Sequence, residues 1–292
     1  MRWTAGGRSS NIEDRRGEGG GGIRLGGAGL GIGGTLILLV LSLIFGRDFI
    51  SGTDATVPST TTTANGEVAP AAGAVRSTPE EDKLVEFVSF VLDDAQGTWA
   101  QVLPKQAGTP YREAKLVLFR DAVRSGCGVA ESAAGPFYCP TDQKVYIDLG
   151  FYDELRQRFG ASGDFAQAYV ITHELGHHVQ RLLGTEQRVR ELQERRPQLA
   201  NDLSVRLELQ ADCYAGVWGN STDQRRLLES GDVEEALNAA ASIGDDRIQR
   251  QTTGSIRPES FTHGSSAQRV SWFKRGFTSG RMDACDTFAG AI

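Results

Sequence analysis

One stretch, residues 168–180, constrains the fold and chemistry of this chain more than any other. It contains the pattern His-Glu-x-x-His, formed by His173, Glu174 and His177, and three of the four histidines in the chain lie there within six consecutive residues. Positions i and i+4 of an α-helix share one face, so both imidazoles can point at a single metal ion. Glu174, turned by about 100° around the helix, can reach a water molecule beside that ion. The spacing predicts a catalytic zinc site with a carboxylate base.

The same pattern also occurs by chance on helices whose histidines are ordinary surface or core residues. The flanking residues favour the metal site, because they give the predicted helix an apolar face to bury: Val170, Ile171, Leu175 and Val179. Gly176 is small enough to let another segment approach closely. Two histidines do not fill a tetrahedral site, so a third ligand must come from elsewhere in the chain.

The best source of that ligand is the stretch 206–213. Glu208 and Asp212 are four residues apart and share a helix face. Glu208 would complete a His2Glu zinc set, and Asp212 would accept the free N–H of a zinc-bound histidine. The alternative is a pair of solvated carboxylates. The apolar and small neighbours of Glu208 instead predict a buried helix, where a carboxylate needs a partner such as a metal. The rival ligands are Glu191, Glu194 and Asp202.

Four motifs together resemble one known family. They are His-Glu-Leu-Gly-His-His-Val-Gln at 173–180, Glu-Leu-Gln-Ala-Asp-Cys-Tyr-Ala-Gly at 208–216, Gly-Pro-Phe-Tyr-Cys-Pro at 135–140 and Thr-His-Gly-Ser-Ser-Ala-Gln-Arg at 262–269. From about residue 80 onward the chain resembles the putative neutral zinc metallopeptidase family of bacterial membrane-anchored proteins. The resemblance implies a zincin-type fold with the third ligand on its own helix, and the zinc and base roles argued above. It supplies no substrate.

The fourth histidine, His263, lies just before a predicted helix, where a loop could bring it over the cleft. Its imidazole would then stabilise the oxyanion of a tetrahedral intermediate, which makes it a second catalytic candidate. Arg269 is the alternative for that role, and a structural or surface position is the alternative for His263 itself. His178 is rotated off the metal face and is predicted to be structural.

Charge and hydropathy divide the 292-residue chain, whose net charge is −6. The first 24 residues are rich in Gly and Arg and net basic, so the remainder is acidic, which argues against nucleic acid as a partner. Residues 25–46 carry no charge and include a dense apolar run, long enough to cross a bilayer as a helix. A cleaved signal peptide is the alternative, but Arg47 and Asp48 follow directly where a small-residue cleavage site would stand.

The arginines before residue 25 predict a cytoplasmic N-terminus and an extracytoplasmic C-terminal domain on a single-pass membrane protein. Residues 1–24 are therefore predicted to be a disordered cytoplasmic segment, and 25–46 a transmembrane helix. Residues 47–79, rich in Thr, Ala and Pro, are predicted to be a flexible linker, and 80–292 the zinc metallopeptidase domain.

Four cysteines fit an oxidising compartment, where an even number suggests two disulfides. Three connectivities are possible, and four buried thiols are the alternative. A short Gly-containing loop joins Cys127 and Cys139, so these two are predicted to pair. Cys213 and Cys285 would then tie the end of the chain to its centre.

The predicted fold class is α+β and mostly helical. It is a zincin-like metallopeptidase domain with a small β-sheet beside the HExxH helix, preceded by one transmembrane helix. Thr78 followed by Pro79 and acidic residues predicts a helix start. Residues 115–119 and 143–149 are predicted to be strands of the small sheet. The metal helix is predicted to run from Asp164 to about Leu183.

The predicted function is a membrane-anchored extracytoplasmic zinc metallopeptidase that hydrolyses a peptide or protein substrate with Glu174 activating a zinc-bound water. The alternative is a zinc-stabilised binding or scaffold protein without hydrolytic activity. An intact Glu174 argues against the scaffold, because a structural zinc site needs no base. A hydrolase of a non-peptide bond shares the site and stays open. The sequence specifies neither the cleavage preference nor the oligomeric state.

Overall fold

The structure is a computed structural model, and it describes residues 1–18, 75, 77–132, 135–290 and 292. The predicted membrane span at 25–46 and most of the predicted linker lie outside these residues. Within the described ranges, no helix combines the length and the apolar character that a membrane crossing requires.

Helices dominate the part of the chain that the structure describes, and with two small sheets they confirm the α+β, mostly helical class. The α-helices are α1 Pro79–Ala107, α2 Phe151–Gln157, α3 Asp164–Leu182, α4 Thr185–Arg195, α5 Ala200–Gln224, α6 Asp232–Ser242, α7 Asp245–Thr252 and α8 Ser266–Ser279. Short 3-10 helices span Pro197–Leu199, Pro258–Ser260 and Met282–Cys285.

The start of α1 follows the predicted signals. The Thr78 side chain accepts a hydrogen bond from the Glu81 backbone N–H at 3.2 Å, and Pro79 occupies the first turn. Acidic residues in that turn interact favourably with the helix dipole. The helix ends at Gly108, whose positive φ of 66° favours glycine at a helix terminus.

The described strands form a four-stranded sheet in the order β1–β2–β6–β5 and a separate hairpin of β3 and β4. Their bounds are β1 Ile12–Asp14, β2 Lys115–Phe119, β3 Ala122–Ser125, β4 Gly128–Glu131, β5 Phe137–Cys139 and β6 Lys144–Asp148. β2 and β6 pair in parallel, which confirms the two predicted strands of a small sheet. β5 is antiparallel to β6 and forms one edge of the sheet.

The N-terminal segment differs from its prediction. Residues 1–18 are not a disordered tail but part of the domain, since β1 pairs in parallel with β2, with Ile12 opposite Leu116. The guanidinium of Arg16 is buried between the carboxylates of Asp14 and Glu81, at 2.7 and 2.9 Å. Gly- and Arg-rich composition suggested disorder, but these ion pairs and the strand pairing fix the segment in place.

This pairing also bears on the predicted topology, although the apolar stretch 25–46 lies outside the described residues. Strands that share hydrogen bonds lie in the same compartment, so residues 12–14 and 115–119 lie on one side of any membrane. An N-terminus in the cytoplasm and a domain outside it, separated by one crossing at 25–46, conflicts with the β1–β2 pairing.

The hydrophobic core lies between α1, the sheet and α3. Val88, Leu116, Ile147 and Ile171 have no measurable exposure and belong to one apolar cluster. Burying side chains of this size stabilises the fold by about 1.5–3 kcal/mol each. The core thereby fixes one face of α3 and leaves its histidines to face α5.

Glycines allow α3, α5 and α8 to pack closely. A Cβ atom on Gly176 would lie 3.0 Å from the Ala211 Cα, and one on Gly216 would lie 2.1 Å from the Phe273 carbonyl oxygen. The prediction that Gly176 permits a close approach is therefore confirmed, and the approaching segment is the helix that carries Glu208.

Both predicted disulfides are present. Cys127 is bonded to Cys139, and Cys213 on α5 is bonded to Cys285 in the last 3-10 helix. No free thiol occurs among the described residues, so the alternative of four buried thiols does not apply.

Candidate metal centre

Three side chains from two helices converge on one point. His173 and His177 face the same way on α3, and Glu208 reaches them from α5. The His173 Nε2 lies 3.2 Å from Glu208 Oε2, and the His177 Nε2 lies 3.5 Å from Glu208 Oε1. The structure thus brings together the three residues that the sequence singled out as metal ligands.

The other ring nitrogen of His173 is held by Asp212. The Nδ1–H donates to Asp212 Oδ1 at 2.8 Å, which holds the proton on Nδ1 and aims Nε2 at Glu208, leaving Nε2 as the nitrogen that would bind a metal. Asp212 itself has no solvent exposure. The structure therefore places Asp212 in the contact that the sequence predicted for it.

A second orienting contact holds His177. Its Nδ1 lies 2.9 Å from Gln180 Oε1, and the Gln180 amide nitrogen donates to the Leu207 carbonyl oxygen at 2.7 Å. Because the amide nitrogen is occupied, its oxygen faces His177 and accepts the Nδ1–H. Gln180 lies within the 173–180 motif, but the sequence motif alone assigned it no role. Its position three residues after His177 on the same helix could have indicated this contact.

Arg269 lies behind the site rather than over it. It is 2% exposed, and its Nε and Nη2 atoms donate to both oxygens of Asp212 at 2.9 Å each. Its Nη2 is 3.4 Å from the Nδ1 of His173, on the side of the ring opposite Nε2. Arg269 therefore cannot contact an oxyanion formed at the Nε2 side, and that alternative role is excluded.

The charges around the site favour an ionised Glu208. Burial acts to raise the pKa of this carboxyl, but His177, His173 and His263 outweigh burial and lower it well below its usual range. Burial acts to lower the pKa of His173, yet Asp212 and Glu208 raise it to about 10. The histidine therefore sits in a strongly negative environment, which would equally attract a metal cation.

Glu174 lies beside the ligands and is 7% exposed. Burial is the main cause that raises the pKa of its carboxyl, to about 7, while His173 acts in the opposite direction. A backbone hydrogen bond from Tyr138, on edge strand β5, also acts to lower the pKa of this carboxyl. A carboxylate with a pKa near neutrality is suited to accept and return a proton.

His263 stands at the mouth of the site. Its Nδ1 lies 3.2 Å from Asp245 Oδ1, and its backbone N–H donates to Asp245 Oδ2 at 2.7 Å. Burial acts to lower the pKa of this imidazole, but Asp245 and Glu208 outweigh it and raise the pKa. The side chain remains about one-third exposed, at 33%, so it can contact a bound molecule.

The other candidates lie elsewhere. His178 points away from the ligands: its Nε2 donates to the Arg112 carbonyl oxygen at 2.6 Å, and its Nδ1 accepts from the Tyr138 hydroxyl at 2.9 Å. This matches its predicted structural role. The rival ligands lie on the solvent side of α4 and α5 and do not join the cluster: Glu191, Glu194 and Asp202.

The donor set fits zinc. For Zn–N and Zn–O bonds of about 2.0–2.2 Å, ligand atoms around a tetrahedral ion lie roughly 3.3–3.6 Å apart. The separations of 3.2 and 3.5 Å, one to each oxygen of Glu208, are close to that spacing. Both histidines already have their Nδ1 atoms occupied, as metal-bound histidines commonly do.

One prediction arises from the buried contact between Asp212 and Arg269. We expect Asp212→Ala to weaken zinc affinity by about 10- to 100-fold, because His173 loses its orienting acceptor. Loss of the carboxylate also leaves Arg269 buried without its partner, so the free energy of unfolding should fall by about 3–5 kcal/mol. Zinc titration and urea unfolding measure the two effects.

The matched control for this variant is Asp202→Ala on the same helix. Asp202 is half exposed and pairs with Arg206 at 2.8 Å. Breaking such an exposed pair should change stability by no more than about 1 kcal/mol. Equal effects of the two substitutions would contradict the role assigned to Asp212.

The fold and this cluster define an HExxH protein with a glutamate from a second helix completing the cluster. The chain belongs to the putative neutral zinc metallopeptidase family, whose sequence pattern matches residues 1–288. That match includes the N-terminal segment that carries β1, beyond the region in which the sequence motifs indicated the resemblance.

Similar proteins occur in distant bacteria. The chain is 51% identical to uncharacterized protein YpfJ of Escherichia coli (strain K12) over 298 residues, 100% of both chains. It is 45% identical to uncharacterized protein Mb2605 of Mycobacterium bovis over 210 residues, 68% of this chain and 69% of that protein. No solved structure matches the chain.

Proposed function

We propose that the protein is a zinc-dependent peptidase in which Glu174 is the general base. One observation supports this more than any other: the Nε2 atoms of His173 and His177 converge on the Glu208 carboxylate while both Nδ1 atoms are held by acceptors. A buried carboxylate, Glu174, lies beside this set. A site that served stability alone would need no such base.

The residues divide the chemistry between them. His173, His177 and Glu208 would hold zinc, which supplies Lewis acidity toward water and the substrate carbonyl. Glu174 takes a proton from the attacking water and returns it to the leaving amine. Asp212 and Gln180 keep the two imidazoles in the orientation and tautomer that the site requires.

His263 is proposed as the group that stabilises negative charge on the substrate carbonyl oxygen. Its imidazole is partly exposed and interacts electrostatically with Glu208, and both observations support this role. Asp245 holds it by side-chain and backbone contacts. Burial acts to lower the pKa of this imidazole, but Asp245 and Glu208 raise it overall, which favours an N–H that can donate a hydrogen bond to a developing oxyanion.

The edge strand β5 is proposed as the place where an extended peptide binds. In the described sheet β5 is an edge strand that pairs on one side with β6, and an extended peptide can add to such an edge. The backbone hydrogen bond of Tyr138 to Glu174 supports this choice of edge. A peptide added there would pass directly in front of the catalytic carboxylate.

Chelation and reconstitution test the proposal. We expect the purified protein to contain a single zinc ion per chain and to cleave unfolded protein or quenched peptide libraries. Removing zinc with a chelator should abolish cleavage, and zinc should restore it where magnesium does not, because imidazole ligands select zinc over hard cations. Cleavage that survives complete zinc removal would contradict the proposal.

We also propose that the domain functions in an oxidising, extracytoplasmic compartment. Two disulfides support this location, since such bonds rarely persist in a reducing cytosol. Association with a membrane through the apolar residues 25–46 remains part of the proposal. The β1–β2 pairing requires that both flanks of that stretch lie on the same side.

A labelling experiment in intact cells tests this arrangement. Ser10 and Lys83 are exposed positions on the two sides of the apolar stretch. We expect Ser10→Cys and Lys83→Cys both to react with a membrane-impermeant maleimide in cells whose inner membrane is intact. Reaction of one and protection of the other would contradict the strand pairing, and protection of both would place the domain in the cytoplasm.

A further inference from the structure

A row of buried amide groups runs from the metal centre toward the last 3-10 helix. Gln180 on α3 is 1% exposed and Gln210 on α5 is 6% exposed. The two side chains are bonded to each other, because the Gln180 Nε2 donates to the Gln210 Oε1 at 3.2 Å. Gln210 in turn donates from its own Nε2 to the Cys285 carbonyl oxygen at 3.0 Å. The row therefore links Cys285 to the side chain that holds His177.

The direction in which each amide points is fixed by its neighbours. A backbone carbonyl oxygen can only accept a hydrogen bond. The Cys285 carbonyl oxygen therefore requires the NH2 end of the Gln210 amide, and the Gln210 oxygen is left to face Gln180. That oxygen and the Leu207 carbonyl oxygen both accept from the Gln180 Nε2, at 3.2 and 2.7 Å. Both N–H groups of Gln180 thus have an acceptor, and its oxygen faces His177.

The direction of the Gln180 amide decides which ring nitrogen of His177 carries the proton. The Gln180 Oε1 lies 2.9 Å from Nδ1 and accepts an Nδ1–H, which keeps Nε2 as the nitrogen that would bind a metal. A reversed amide would present its NH2 group to Nδ1 and its oxygen to the Leu207 carbonyl oxygen, and two oxygen acceptors repel each other. The proton of His177 would then move to Nε2, where it competes with a metal ion.

The Cys285 carbonyl group is itself held against α5. Cys285 is bonded to Cys213, which lies about one turn after Gln210 on the same helix. Two residues further on, the Thr287 hydroxyl donates to the Arg206 carbonyl oxygen at 2.7 Å. Cys285 has no measurable solvent exposure, so water does not compete for its carbonyl oxygen. Gln210 is therefore bonded to an acceptor whose position is fixed.

We propose that Gln210 is a positioning residue of the metal centre. It passes the fixed direction of the Cys285 carbonyl group on to Gln180, which in turn keeps the proton of His177 on Nδ1. The Gln210 side chain bonds to Gln180 and Cys285, so its effect on the site passes through Gln180. The inference rests on the proposed function in one respect, that zinc is the ion bound at this site.

A double-mutant cycle on the full chain, read by zinc affinity in competition with a chromophoric chelator, tests this role. Methionine is similar to glutamine in length but has no amide. Gln180→Met should weaken zinc affinity by about 10- to 100-fold, because His177 loses its orienting acceptor. Gln210→Met should weaken it by about 3- to 10-fold, the effect of one hydrogen bond, because the Leu207 carbonyl oxygen still holds Gln180. In the Gln180→Met background, Gln210→Met should change the affinity by less than about twofold.

Gln224→Met makes the same change at an exposed position of α5 and is the matched control. It should leave zinc affinity unchanged. Urea unfolding of the metal-free proteins shows which variants are folded. Gln210→Asn, whose side chain is one CH2 group too short to reach both partners, takes the place of Gln210→Met if the methionine variant does not fold.

The outcomes separate this inference from the proposed function. Equal zinc affinity of wild type and a folded Gln210 variant would overturn the inference and leave the proposed function intact. An equal loss of affinity on changing Gln210 with and without the Gln180 amide would also overturn it, because Gln210 would then act by another route. A wild-type protein that binds no zinc would overturn the proposed function and this inference together.

Discussion

Replacing Glu174 by glutamine is expected to lower kcat/KM by about 10²–10⁴-fold while zinc content stays unchanged. Glutamine keeps the shape of the side chain but cannot accept a proton from the attacking water. None of the three proposed ligands is altered, so metal binding should persist. Steady-state kinetics on a quenched peptide and metal analysis of the same samples measure the two quantities.

The matched control is Glu154→Gln, which makes the same chemical change at an exposed position on α2. It should retain full activity. Equal activity of wild type and Glu174→Gln on every substrate that wild type cleaves would contradict the role of Glu174 as the general base. If neither protein cleaves anything while both bind zinc, the scaffold function becomes the better interpretation.

Glu174→Gln should also raise the free energy of unfolding of the metal-free protein at alkaline pH. The pKa of Glu174 is raised from 4.5 to about 7, chiefly by burial, so the folded state prefers the protonated carboxyl. The stability of the metal-free wild type is then highest below the unfolded pKa and falls as pH rises through 7. Urea unfolding at pH 5 and pH 8 should show this loss in wild type, and a smaller one in Glu174→Gln.

Replacing Glu208 by glutamine is expected to abolish stable zinc binding, and activity with it. The carboxylate lies within 3.5 Å of both imidazole Nε2 atoms, and a neutral amide oxygen is a poor ligand that supplies no charge against the metal. Dialysed Glu208→Gln protein should therefore contain little zinc under conditions where wild type retains it.

Glu191→Gln is the control, because Glu191 is an exposed carboxylate that the sequence offered as a rival ligand. It should keep its zinc and its activity. Full zinc retention in Glu208→Gln would move the third ligand elsewhere and remove the main support for the proposed site.

Local patterns predicted the parts of the site that lie on single helices. Residues at i and i+4 lie on one face of a helix whatever its position in the fold. This spacing applies to His173 and His177, and to Glu208 and Asp212. The start of α1 after Thr78 followed from a local pattern in the same way. The residue types predicted a metal ion as the partner of these side chains, because a buried carboxylate and two imidazoles together favour metal binding.

Other features depended on contacts between segments that are distant in the sequence. The sequence offered Arg269 as an alternative group for stabilising an oxyanion, and only the packing of α8 against α5 showed that it binds Asp212 from behind the site. Gln180 acquired a role because the Leu207 carbonyl oxygen takes its amide nitrogen. The choice among rival carboxylates likewise required the distance between α3 and α5.

The N-terminal segment shows where sequence reasoning reached its limit. Composition measures whether a segment can build a core of its own, and residues 1–18 cannot. They are ordered because an existing sheet edge at β2 and the carboxylate of Glu81 supply partners from elsewhere. The sequence alone predicted the start of α1, His173 and His177 as candidate metal ligands, and the pairing of the cysteines. The tertiary structure decided which side chains orient the two histidines and that residues 12–14 join the sheet. Both features depend on contacts between segments that are distant in the sequence, which no local pattern contains.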